Sequence, residues 1–213
     1  MNLSLVRSPR RLFQRIAFWW YRRSNPGIPL LAIQAVEFLG DYLRPTDILL
    51  EYGSGHSTRW YAGKCGHVTA VENIPEWAEI VRREIASCDN VTLRVFPGFD
   101  PVQTGGGGFG AHSDRPYEGL QSSAAYAAFI DTFPDGHFDV IVNDGWCRHQ
   151  IGARSLTKLR PGGIMIWDDV HWSELTNSPT PEIRRFVETV SPWRRVSFSD
   201  GVHRTTLLFS PGP

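Results

Sequence analysis

The chain has 213 residues, 41% of them hydrophobic and 21% charged, with 22 basic side chains balanced by 22 acidic ones. That composition is an ordinary soluble domain's, with enough chain for one sizeable core, and a neutral molecule has no overall electrostatic pull toward nucleic acid. Three cysteines without CxxC spacing argue against a disulfide framework or a zinc site and fit a reducing cytoplasm.

The charge is unevenly placed. Residues 1–23 hold six arginines (Arg7, Arg10, Arg11, Arg15, Arg22 and Arg23) and no acid, leaving 16 basic against 22 acidic residues in the remainder. No apolar run approaches the roughly 20 residues that cross a bilayer, and no signal peptide is recognisable. The arginines interleave with Phe13, Ile16, Phe18, Trp19, Trp20 and Tyr21. Such an arm suits peripheral contact with anionic lipid over residues 7–23, or packing on its own domain or on a second subunit of a homodimer. The packing reading is the safer expectation. The boundary falls after residue 28, with one domain over 29–213.

A second helix is expected over residues 29–43, from Leu31, Ala35, Phe38, Leu39 and Tyr42 at helical spacing. The apolar run Ile48-Leu49-Leu50 then reads as a buried strand closed by Glu51. Gly53-Ser54-Gly55 follow, with Ser57 and Thr58 placed to cap a helix ending near Lys64. A strand, a glycine turn and a helix start in that order form a ligand-binding corner, because glycine lets a ligand approach the backbone and first-turn amides lack internal partners. Residues 67–71 make a second strand closed by Glu72. Pro75 opens a helix to about Ser87, and residues 90–96 make a third strand. This alternation implies right-handed parallel crossovers in a Rossmann-like, doubly wound α/β sheet with helices on both faces.

Residues 97–121 are irregular and include the glycine run 105–110, which lacks the Gly-Lys-Ser/Thr of a phosphate loop and reads equally as a substrate lid or a plain insertion. A helix over 122–132 restores order. Residues 138–143 make a fourth strand ending in Asp144-Gly145. A helix over 148–159 stops at Pro161-Gly162-Gly163, and residues 164–167 make a fifth strand before Asp168-Asp169. Thr180 caps a helix reaching Val190. Runs 194–199 and 204–209 flank Asp200-Gly201, a hairpin turn signal.

Ligands of open α/β sheets lie across the carboxyl ends of the strands. Here those ends carry Glu51, Glu72, Asp144, Asp168 and Asp169. Glu72 stands 21 residues beyond Glu51, where a carboxylate can accept bonds from both hydroxyls of a ribose. The turn Gly53-x-Gly55-x-x-Thr58 lacks the third glycine of dinucleotide folds, and Glu51 would face a pyrophosphate with like charge. An NAD(P)-dependent oxidoreductase is therefore the weaker reading. A cationic, phosphate-free adenosine ligand such as S-adenosylmethionine suits the corner better.

The stretches LLEYGSGHST, VENIPEW, FDVIVNDGWCRH and LRPGGIMIWDDV, in that order, resemble the class I S-adenosylmethionine-dependent methyltransferases over roughly residues 29–209. EYGSGxST with a later DGxxR looks like bacterial members associated with polysaccharide or natural-product pathways. The resemblance implies a seven-stranded, mostly parallel sheet with an antiparallel last strand. It also implies methyl transfer to a small-molecule or sugar acceptor. Gly53, Ser54, Gly55 and Ser57 would line the cofactor's methionine part, with Glu51 near its amino group and Glu72 and Asn73 on the ribose. Phe96 and Pro97 would lie near adenine, and Asn143 and Asp144 would border cofactor and acceptor. Asp144, Asp168 and Asp169 resemble the magnesium set of catechol-type O-methyltransferases, with Asp in place of the usual Asn.

If a hydroxyl is methylated, its proton needs an acceptor. A Mg2+-bound site is one solution; Asp144, His171 or His149 is the other. His171 lies beside two acids and Trp172, while Arg148 pairs with Asp144 or an acidic substrate. Residues around Trp146 and Trp172 are expected to shape the acceptor pocket. The non-enzymatic alternative is a membrane-associated binding protein recruited through the arm.

Overall fold

In the computed structural model, the described residues are 9–97, 121–169, 172–176 and 181–212. Its central strands are short apolar runs: β1 (Ile48–Tyr52), β2 (His67–Glu72), β4 (Phe138–Asn143) and β5 (Leu159–Asp168), with β3 (Val91–Val95) at one edge. Runs of this kind have no side suited to water, so the sheet must be covered on both faces. β6 (Arg194–Ser199) and β7 (Arg204–Phe209) complete seven strands in the order β3-β2-β1-β4-β5-β7-β6. The first five are mutually parallel, and β7 runs antiparallel to both β5 and β6.

Side chains alternate between the two faces along each strand. Leu49, Val68, Val140, Val142, Ile164 and Ile166 share one core with α2 (Ile33–Tyr42) and α3 (His56–Ala62). Leu50, Tyr52, Val71, Ile141, Met165 and Trp167 share the other with α5 (Gln121–Ala128), α6 (Arg148–Lys158), α7 (Trp172–Thr176) and α8 (Pro181–Val190). α4 (Pro75–Glu84) lies against α3, β2 and β3. Trp167, Tyr52, Phe138 and Phe186 are among the largest fully buried side chains, each worth about 1.5–3 kcal/mol of apolar burial.

Several boundaries differ from the sequence reading. α2 starts at Ile33, because the amides of Ala32 and Ile33 are taken by the side chains of Thr205 (2.9 Å) and Asp200 (3.1 Å). The helix expected over 122–132 divides into α5 and a 3-10 turn, Phe129–Thr132, where the Ile130 amide donates to the Tyr52 hydroxyl at 3.1 Å. Pro161-Gly162-Gly163 does not bound β5 but lies within it. The register shifts between Phe138 and Val140, and Gly162 donates to Pro211 while Gly163 accepts from Ser210. The short α7 was not anticipated. Residue Thr180 and the glycine run 105–110 lie outside the described residues, as does nearly all of the proposed lid.

The arm forms α1 (Pro9–Ser24), which meets the turn between β6 and β7: the Phe18 ring lies 4.8 Å from that of His203.

Candidate active site

The strand order reverses between β1 and β4, so a crevice opens at their carboxyl ends. Gly53 sits there at φ +88°, and a Cβ on it would lie 2.9 Å from Gly145 Cα. Its amide and that of Ser54 donate to Val71 O at 3.0 and 3.2 Å. Gly53 thus lets the turns after β1 and β4 touch, while Gly55, which would meet nothing closer than 3.8 Å, leaves the backbone approachable.

α3 starts at His56 after Gly55, so Ser57 does not cap it, whereas Thr58, at the third position, helps to cap it by taking the Gly55 amide. The hydroxyls of Ser57 and Thr58 donate to the two oxygens of Glu51, at 2.5 and 2.6 Å, and Thr58 Oγ1 accepts from the Gly55 amide at 3.0 Å. The buried Glu51 carboxyl takes the donors that its surroundings offer. Burial, outweighing those two hydrogen bonds, pushes its pKa up to about 8.

Glu72 closes β2 and is also buried. Its Oε2 accepts from the Ser54 hydroxyl at 2.9 Å, and its Oε1 accepts from the amides of Asn73 (2.8 Å) and Ile74 (2.9 Å). Burial raises its pKa while these donors pull it down. Asn73 is buried beside it. A carboxylate has about four lone-pair sites, so Glu72 keeps acceptor capacity on Oε2. Trp77 Nε1 donates to Ser54 O at 2.7 Å, laying an indole along the glycine turn. The sequence reading did not single out Trp77 as a site residue. Its position in the first turn of a Pro-started helix after Glu72 was the available signal.

At the end of β4, Asn143 is fully buried and donates from Nδ2 to Arg148 O at 2.7 Å. Its Oδ1 is buried with no hydrogen-bond partner among the described residues. Arg148 clamps the ends of β4 and β5. It donates to the carbonyls of Gly145 (2.9 Å), Asp144 (3.0 Å) and Asp168 (2.5 Å), and to Asp144 Oδ1 at 3.0 Å. The ion-pair reading of Arg148 therefore holds. Burial raises the Asp144 pKa to about 6 although Arg148 opposes it, and 30% of the side chain remains open to solvent.

Asp168 is buried and accepts from Thr205 Oγ1 at 2.7 Å. Burial, reinforced by Asp144 and Asp169, holds it protonated well above the usual carboxylate range. Asp169, at φ +53°, has its pKa lowered: burial would raise it, but His203 more than offsets that. His203 Nδ1 stands 3.7 Å from Asp169 Oδ1, a charge contact beyond hydrogen-bond reach. His203 formed no recognisable pattern in the sequence, because only the pairing of β7 with β5 carries it to Asp169.

The acids of the expected magnesium set are only partly brought together. Ligand atoms of Asp168, Asp169 and His203 lie within 4.8 Å of one another, and Asp144 is not in that group. Arg148 holds the Asp144 carboxylate instead and places a fixed positive charge among the three acids. Of the predicted histidines, His149 stacks on Trp167 at 6.2 Å, and His171 lies outside the described residues. Trp146 and Trp172 pack against the core, and the Arg195 guanidinium covers Trp172 at 4.0 Å.

No protein-family model and no curated protein matches this chain. Solved structures do. A methyltransferase-like protein from Silicibacter pomeroyi superposes with a TM-score of 0.58 at 19% identity, over 87% of this chain and 90% of that one. A methyltransferase from Geobacter sulfurreducens gives 0.52 at 13%, over 95% and 89%. A methyltransferase from Pyrococcus furiosus gives 0.50 at 22%, over 98% and 100%. At these identities the likeness establishes the fold, the Rossmann-like sheet described above.

Proposed function

We propose that the chain is an S-adenosylmethionine-dependent methyltransferase acting on a hydroxyl of a small-molecule or sugar acceptor. The observation that carries this reading is the pair of buried carboxyls, Glu51 and Glu72, flanking the Gly53–Ser54–Gly55 turn. A pyrophosphate at that turn would meet two buried acids and oppose their ionisation. A ligand bearing an ammonium, a sulfonium and a ribose meets complementary groups. The orphaned Asn143 Oδ1 adds an acceptor at the same crevice.

When bound, S-adenosylmethionine supplies an activated methyl group. The chain's own residues then position, neutralise and exchange protons. Glu72 takes the ribose hydroxyls on the free capacity of Oε2, with Ser54 and the Asn73 and Ile74 amides holding its plane. Glu51, held in plane by Ser57 and Thr58, gives up its proton as the ammonium binds and then pairs with it by charge. Asp144, at about 6, is ionised near neutrality and accepts the acceptor hydroxyl's proton, while Arg148 fixes its orientation. Asp144, Asp168 and Asp169 fit a magnesium site poorly, because Arg148 pairs with the Asp144 carboxylate, the buried Asp168 is held protonated and accepts from Thr205, and Asp169 faces His203.

Calorimetric titration with S-adenosylhomocysteine and, separately, with NAD tests the reading. Micromolar binding of the first alone supports it. Binding of NAD alone would overturn it in favour of an oxidoreductase.

A further inference from the structure

Of the candidate site, α1 touches only His203, through Phe18. Gln14, Phe18, Tyr21 and Arg22, at i, i+4, i+7 and i+8, are the half-buried positions of α1 and share one side of it. Phe18 lies against His203, and a Cβ on Gly201 would run into the Gln14 side chain. At 3.6 residues per turn, Leu12, Phe13, Ile16, Trp19 and Trp20 fall in a sector of about 120° on the opposite side. These five keep between 47% and 71% of their surface exposed. An ordinary packed helix turns its apolar stripe inward; this one turns it outward. Arg10 and Arg15 flank the stripe and are exposed, and the Arg23 guanidinium lies 5.6 Å over the Trp19 ring.

We infer that α1 is an interfacial helix that seats the protein on an anionic lipid surface. Leu12, Phe13, Ile16, Trp19 and Trp20 enter the boundary between headgroups and acyl chains, and the flanking arginines pair with lipid phosphates. Charge selects lipid over a second copy of the chain. Residues 1–23 carry six arginines and no acid, so two copies packed stripe to stripe would oppose like charges, whereas an anionic leaflet supplies the missing sign. Tryptophan and arginine are also the side chains suited to a surface that is apolar below and wet above. Among the described residues no helix is long and apolar enough to cross a membrane, so the contact is peripheral. The inference stands whether or not the domain transfers methyl groups.

The test is flotation of the full chain with phosphatidylcholine vesicles, with and without phosphatidylglycerol, at low and high salt. The wild type is expected to float with the anionic vesicles and to release as salt rises. A charge variant (Arg10→Glu, Arg15→Glu, Arg23→Glu) and an apolar variant (Trp19→Ser, Trp20→Ser) should each bind at least about tenfold more weakly. Because these side chains are exposed, both variants should melt as the wild type does, which separates lost binding from lost folding. Failure of the wild type to float, or flotation of both variants at wild-type level, overturns the inference. So does a dimer in sedimentation that the Trp19→Ser, Trp20→Ser variant abolishes.

Discussion

The Ser54 hydroxyl donates to the Glu72 carboxylate at 2.9 Å, so the glycine turn after β1 and the acid closing β2 act as one unit. That bond fixes the plane of Glu72 before any ligand arrives. Glu72→Gln keeps the shape but loses the charge, and replaces one acceptor by a donor. Hydrogen bonds to a charged group contribute about 1.5–3 kcal/mol, so the affinity for S-adenosylhomocysteine should fall by roughly 10–100-fold. Ser54→Ala should cost less, under about tenfold, since the two backbone donors remain. Calorimetry measures both. Wild-type affinity in Glu72→Gln would remove the ribose assignment.

Glu51 sets a pH dependence whose sign follows from its raised pKa of about 8, against an ordinary 4.5. Between those values the folded chain holds a proton that the unfolded chain has released, so stability is full below the lower value and is lost as pH rises toward 8. The raised carboxyls of Glu72, Asp144 and Asp168 push the same way, and the lowered Asp169 pushes the other. Denaturant unfolding from about pH 5 to 8 should show a loss of about 3–4 kcal/mol through Glu51, absent in Glu51→Gln. An unchanged slope in that variant would refute the assignment. A cation bound beside Glu51 lowers its pKa, so calorimetry near pH 7 in buffers of different ionisation enthalpy should also detect proton release on cofactor binding.

Arg148 ties the ends of β4 and β5 through three carbonyls and one carboxylate. Arg148→Met strands those acceptors and leaves Asp144 unpaired, and should lower stability by about 2–4 kcal/mol. It should also move the Asp144 pKa above about 6, shifting the acidic limb of any pH–rate profile upward. If Asp144 is the proton acceptor, Asp144→Asn should lower kcat by at least about 100-fold with little change in S-adenosylhomocysteine affinity. A kcat within a few-fold of wild type would transfer the role to His203 or His171.

Gly152 lies inside α6, where alanine ordinarily favours a helix by about 1 kcal/mol. Here an added Cβ would fall 2.1 Å from the Trp167 ring, which is buried and stacked on Phe186. Overpacking of that kind costs about 1–3 kcal/mol, so Gly152→Ala should destabilise despite its better propensity. Thermal unfolding measures it. Trp167→Phe in the same background should recover part of the loss, because the smaller ring vacates the clash.

The parallel α/β order was legible because it rests on local patterning. Continuous apolar runs such as Leu49-Leu50 and Val140–Val142 can be satisfied only inside a sheet covered on both faces, and Gly53 marks a turn that few other residues adopt. The strand-end acids Glu51, Glu72 and Asp144 were legible for the same reason, since a strand's end fixes where its last side chain lies. Other features depend on which distant strands meet. β7 inserted against β5 carries Thr205 to Asp168 and His203 to Asp169, across more than thirty residues of chain. Arg148 lies four residues from Asp144, yet its hold on the Asp168 carbonyl requires β4 and β5 to be neighbours. Leu12, Phe13, Ile16, Trp19 and Trp20 share one side of α1, but only the contact of Phe18 with His203 decided that this side faces outward. Periodicity reports which residues share a face, and packing decides where that face points.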